Sequence, residues 1–236
     1  MQGLLASSLS SKEPEARAGA SDALPKPRIL SLSDLIFGLA LSISALTLIG
    51  HQPTTAGQFF TSLGLYAFSF LILITVWRLY SSTTSILPSE TSLLTGLTYV
   101  LLFLVSVEPY LFNELFASTT FADIVSSVYA YDVAVMFLIL AVFNHTLASE
   151  ERNLVSRSLT GKHRRSRNFC LLVAAIFIVS AVPPLGSTVV LNYTSGGTYE
   201  LTARTLLWIL SLFVGYARRV IDRGVGSQAE GKAGRS

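Results

Sequence analysis

From Leu32 onward the chain is a series of long apolar runs separated by short polar breaks. Six runs can be drawn, at Leu32–Gly50, Gln58–Tyr80, Leu93–Leu115, Ile124–Leu147, Phe169–Val190 and Leu201–Val220. Each is near the roughly 20 residues that a helix needs to cross a hydrocarbon core of about 30 Å. The breaks carry turn chemistry: His51-Gln-Pro-Thr-Thr-Ala-Gly57 after the first run, Ser81-Ser-Thr-Thr-Ser and Pro88 after the second, and Asn192-Tyr-Thr-Ser-Gly-Gly197 before the last. The pattern predicts an all-α, polytopic membrane protein with six transmembrane helices over residues 28–221. Residues 1–27, rich in Ser, Ala, Glu, Lys and Pro, and residues 222–236 read as disordered tails.

Composition agrees with this reading. Of the 236 residues 51% are hydrophobic and only 13% charged, more apolar surface than a core of this size absorbs. The net charge of +3 could point to nucleic acid, but most lysines and arginines lie in the breaks and tails around the apolar runs, as topology signals do. They cluster before the first run (Arg17, Lys26, Arg28), in the break after the fourth (Arg152 to Arg167) and after the sixth (Arg218 to Arg235). The breaks after the first and third runs contain none. With six spans every basic cluster falls on one side, which places both termini in the cytoplasm and the protein in the cell membrane. The single Cys170 lies in an apolar run, so neither an intrachain disulfide nor a cysteine metal site can form.

The polar residues inside the runs carry the functional information. The first run opens with Arg28, Ser31, Ser33 and Asp34, costly at the edge of hydrocarbon unless they are paired or face a cavity. Arg28 and Asp34 are about 9 Å apart along a helix, too far for a direct bond, so each needs partners elsewhere. Ser33 can lend a hydroxyl, and Trp77 of the second run can donate its indole N–H from the same depth. Interfacial anchoring would account for Arg28 and Trp77 but leaves Asp34 unexplained. At 100° per residue Leu35, Leu39, Ser42 and Leu46 share one stripe, while Gly38 and Ala45 adjoin Asp34 on a small face. Taken alone, the wheel favours ordinary helix packing; four such helices around an axis would instead give leucine rings that gate by dewetting, with Ser42 between them.

Glu108-Pro109 near the outer end of the third run, Asp132 beside Tyr129 and Tyr131 in the fourth, and Asn144-His145 at the cytoplasmic end of the fourth could each serve structure or a proton or ion route. No histidine pair or carboxylate–histidine cluster has metal-site spacing, and no phosphate loop or activated nucleophile is evident, so neither a cofactor nor an enzyme activity is expected. The Thr-Val-Gly-Tyr-Gly potassium filter is missing as well.

Arg28-x-x-x-Leu32-Ser33-Asp34 resembles the Arg-x-x-x-Phe-Ser-Asp signature of the transmembrane protein 175 family of lysosomal potassium channels and their prokaryotic relatives. The run Phe70–Trp77 is similar to that family's second helix, which ends in Trp-x-x-His, and Leu102–Ser106 before Pro109 is similar to its third. Leu32 replaces the usual phenylalanine, and Tyr80 stands where the family has histidine. The resemblance implies a homotetramer whose first helices line a pore for monovalent cations, with potassium as the permeant ion. It implies a constriction at Leu39, Ser42 and Leu46, with Arg28, Ser33, Asp34 and Trp77 supporting the pore helix.

The expected function is therefore a potassium-preferring cation channel with a leucine constriction. A proton-coupled carrier or proton pathway through Asp132, Glu108 and Asp34 is the alternative. A third reading is a membrane scaffold whose basic stretch Arg152–Arg167 meets anionic lipid or a partner.

Overall fold

In the computed structural model the described residues are 26–50, 55–86, 92–117, 122–149, 157–182, 185, 188–192 and 198–215. Both predicted tails lie outside them, apart from residues 26 and 27. The helices are α1 (Lys26–Gly50), α2 (Ala56–Thr84), α3 (Ser92–Ala117), α4 (Ala122–Ala148) and α5 (Arg157–Ser180). A hairpin of β1 (Thr188–Asn192) and β2 (Thr198–Thr202) follows, and then a short helix α6 (Ala203–Gly215). Pro27 falls in the first turn of α1, where a missing N–H breaks no intrahelical bond. Asp123 opens α4, where its charge matches the sign of the helix dipole. Pro109 lies inside α3 and leaves the Val105 carbonyl without its helical donor.

Among the described residues four helices are long and apolar enough to cross a membrane: Ile29–Leu46, Ser62–Thr84, Ser92–Leu115 and Asp123–Ala148. The protein is a multi-pass membrane protein. The last third of the chain departs from the expected six even spans. The fifth run was expected to remain helical to Val190, but α5 ends at Ser180, and residues 188–190 are strand. The expected start of the sixth, Leu201-Thr202, also belongs to the hairpin. The physical reason is local. Pro183-Pro184 supplies no backbone N–H to prolong α5, and the β-branched run Thr188-Val-Val pairs antiparallel with Thr198–Thr202, Val190 opposite Glu200. The fold is thus helical with one β-hairpin, rather than wholly α.

Around the core, α4 packs along both α3 and α5, and α1 lies against α2 and α3. Leu73, Val76, Leu101, Val105, Val133, Leu140, Cys170 and Phe177 are fully or almost fully buried where these helices meet. At the hairpin end the Trp208 ring of α6 stacks on Phe68 and Phe177 and tilts against Tyr129, tying α6 to α2, α4 and α5. Arg204 holds the same joint. Its Nε donates to the Ser180 carbonyl at 2.8 Å, and its guanidinium reaches the Asp123 carbonyl and the Ser126 hydroxyl. A cation on the last carbonyls of α5 satisfies groups the helix itself cannot.

Candidate functional site

The first helix has two faces of different character. Ser33, Phe37, Ala40 and Ser44 are buried against the rest of the chain, whereas Leu35, Leu39 and Leu46 are 67%, 57% and 61% exposed. On the wheel the buried set centres opposite the leucine stripe, so the stripe takes no part in packing within the protomer. Ser42, also exposed, donates to the Gly38 carbonyl at 2.8 Å, which leaves its oxygen lone pairs on the same face. A Cβ built on Gly38 would meet nothing within 4 Å, so no element among the described residues closes on that flank.

The polar opening turn fixes the rotation of α1. Trp77 Nε1 donates to Asp34 Oδ1 at 2.9 Å, the pairing expected from their shared depth. Ser33 does not assist Asp34. Its hydroxyl donates to the Ile29 carbonyl at 2.7 Å and sits 3.0 Å from the Tyr80 hydroxyl. Because the one serine proton is committed to Ile29, Tyr80 donates and Ser33 accepts. Trp77 and Tyr80 are three residues apart and project to one side of α2, giving α1 two attachments about one turn apart. The Tyr80 ring is itself buried between Phe37 and Phe143, each at 6.2 Å. This residue was read from sequence only as a departure from the usual histidine; here its single O–H is what the site uses. Tyr80→Phe should keep the ring packing, leave Ser33 short of one partner, and lower the thermal stability by about 1 kcal/mol. A melting temperature equal to that of the wild type would remove Tyr80 from the brace. The side chain of Arg28 lies outside the described residues.

Eight residues deeper along α2, about 12 Å at 1.5 Å per residue, a second polar cluster is enclosed. Ser69 donates to both Glu108 oxygens at 2.9 and 3.2 Å, and the Tyr129 hydroxyl donates to Oε1 at 3.3 Å. Glu108 is fully buried within the protomer, and Tyr129 serves Glu108 instead of Asp132. Asp132 is also buried, and its Oδ2 has no hydrogen-bond partner among the described residues. Sequence reasoning could not pair Ser69 with Glu108, since the two are 39 residues apart. Near the other end of α4, Asn144 accepts from His163 of α5 at 3.1 Å, and His145 is 3.2 Å from Arg167. Among the described residues no group of three or more His, Cys, Asp or Glu side chains could hold a metal ion.

No family model and no curated protein matches the chain. A crystal structure does: that of a homologue of the lysosomal potassium-selective channel TMEM175 from Chamaesiphon minutus. The likeness has a TM-score of 0.53 and a sequence identity of 15%, covering 81% of this chain and 97% of the other. At that identity the likeness is one of fold, and it falls on the family whose signature the opening turn of α1 resembles. The chain has the fold of a TMEM175-type potassium channel homologue.

Proposed function

We propose that the protein is a potassium-preferring cation channel, assembled as a homotetramer in the cell membrane with one α1 per copy lining the pore. The observation that carries this reading is the exposed stripe of α1, set opposite the helix's packed face. Within one protomer that stripe packs against nothing; around a fourfold axis it becomes successive rings of Leu39, Ser42 and Leu46. The open flank at Gly38 is where a neighbouring α1 can approach closely. The leucine rings hold the pore dry when narrow, and the Ser42 hydroxyls offer oxygen to a partly dehydrated cation. Asp34, Ser33 and Trp77 stay behind this surface as supports and do not touch the ion. Arg28 belongs with them by position. Both termini and the basic stretch Arg152–Arg167 lie on the cytoplasmic side, with α5 and α6 completing six passes.

Purified protein in liposomes loaded with potassium should carry a potassium flux larger than its sodium flux, and should run as a tetramer in detergent. A monomer, or liposomes as tight as empty ones, would overturn the proposal. One observation favours a second reading, a proton pathway: Asp132 buries an unpaired carboxylate oxygen in the helix bundle near Glu108. If protons pass there, Asp132→Asn abolishes pH-driven uptake in the same liposomes. If the channel reading holds, Asp132→Asn leaves the potassium flux in place.

A further inference from the structure

Between α2, α4, α5 and α6 lies a cavity of about 960 Å³. It is divided by chemistry along the helix axes. One end is walled by Arg78 and Ser82 of α2 and by Lys162, His163 and Ser166 of α5. The rest is walled by Ile72, Phe137, Val173 and Phe213. From Arg78 to Ile72, and from Ser166 to Val173, the apolar part runs roughly 10 Å into the bundle at 1.5 Å per residue. The volume is at the upper end of the range, roughly 300–1,000 Å³, that encloses organic ligands.

His163 gives the polar end a specific demand. It is only 4% exposed. Asn144 donates through Nδ2 to the Leu140 carbonyl at 2.9 Å, so its Oδ1 is the acceptor for His163 Nδ1, which carries the proton. Burial, with Lys162 beside it, holds the His163 ring below its ordinary pKa and hence neutral. Its Nε2 is therefore a bare lone pair, itself buried and with no hydrogen-bond partner among the described residues, so a ligand donor meets it once the ring turns toward the cavity. A buried acceptor of this kind calls for a hydrogen-bond donor, which a hydroxyl can supply.

We propose that the cavity is a site for an anionic phospholipid with a hydroxylated headgroup. Arg78 and Lys162 hold the phosphate, a headgroup hydroxyl donates to His163 Nε2, and an acyl chain runs inward along Ile72, Phe137, Val173 and Phe213. Charge selects this occupant over the chain's own tail. Residues 216–236 carry Arg218, Arg219, Arg223, Lys232 and Arg235 against Asp222 and Glu230, the same sign as the basic rim. A bilayer lipid in the adjoining leaflet brings the opposite sign and the chain together.

The test is lipid retention by the full-length protein in detergent, read by native mass spectrometry with three lipids of matched chains. These are phosphatidylglycerol, phosphatidylmethanol (anionic, without a headgroup hydroxyl) and phosphatidylcholine. Phosphatidylglycerol should be retained best, about fivefold over phosphatidylmethanol, the worth of one hydrogen bond, and phosphatidylcholine least. Arg78 and Lys162 are exposed, so Arg78→Ala combined with Lys162→Ala should fold normally and erase the preference for anionic lipid. His163→Leu should erase only the difference between the two anionic lipids. Equal retention of phosphatidylglycerol and phosphatidylcholine by the wild type overturns the proposal. So does a preference that survives loss of both cations; a second copy or the tail then occupies the cleft. This assignment depends on the membrane location alone and stands or falls separately from ion conduction.

Discussion

Leu39→Ala should make liposomes containing the protein leak potassium at least about tenfold faster than the wild type, a barrier lower by about 1.4 kcal/mol. Leu39 is more than half exposed in the protomer, so shortening it opens no internal cavity and the fold should survive. The effect is confined to whatever the stripe faces. In a tetramer four side chains shorten at once, and the narrowest apolar ring widens on every side. Dewetting is steeply sensitive to that width, because water enters a hydrophobic neck only when its lost hydrogen bonds can be remade inside. Leu39→Phe, which keeps the ring apolar and bulky, should leave the protein tight. Size, rather than the identity of leucine, is then the variable. A Leu39→Ala tetramer with wild-type flux would remove Leu39 from the constriction and leave the stripe as a lipid-facing surface.

How much of this could be read from sequence depends on the range of the interaction. The first four helices were legible because hydropathy and length report directly on them, and each long apolar run became a helix. The two faces of α1 were legible as a stripe, since 3.6-residue periodicity is local. Which face was packed was not, because the neighbours of α1 come from α2 and α3. The pairing of Asp34 with Trp77 followed from depth alone. The role of Tyr80 did not, since it depends on where the single Ser33 proton goes. The end of the fifth run was misjudged because Val189, Val190 and Leu191 satisfy an apolar span and a short strand equally well, and only pairing with Thr198–Thr202 decides between them. Pro183-Pro184 was the available signal that α5 had to stop. Arg204 lies within the sixth apolar run, and nothing local marks its partners; that it holds three groups on α4 and α5 is purely tertiary.

Asp34→Ala should cost assembly more than it costs the folding of the protomer. The Asp34–Trp77 bond sets how α1 is turned about its own axis, and therefore whether four leucine stripes meet at one radius. Removing the acceptor leaves the Trp77 N–H to find water at the membrane edge, a loss of about 1 kcal/mol per subunit. With that bond gone α1 is free to turn in the protomer, and returning it to register on association costs a similar ~1 kcal/mol per subunit, so the penalty on a tetramer is ~4 kcal/mol, about a thousandfold in the assembly constant. The expected result is a shift from tetramer to smaller species in size-exclusion chromatography with light scattering, while helical content by circular dichroism stays unchanged. Asp34→Asn keeps the Oδ1 acceptor at about half the strength of a charged one and should remain largely tetrameric. Trp77→Phe removes the donor instead, and because both variants break the same bond, the Asp34→Ala and Trp77→Phe double variant should be little worse than Asp34→Ala alone. Strictly additive losses, or an Asp34→Ala protein that assembles as the wild type does, would mean that the rotation of α1 is set by the Ser33–Tyr80 contact and the packing of Phe37, with Asp34 free for another task.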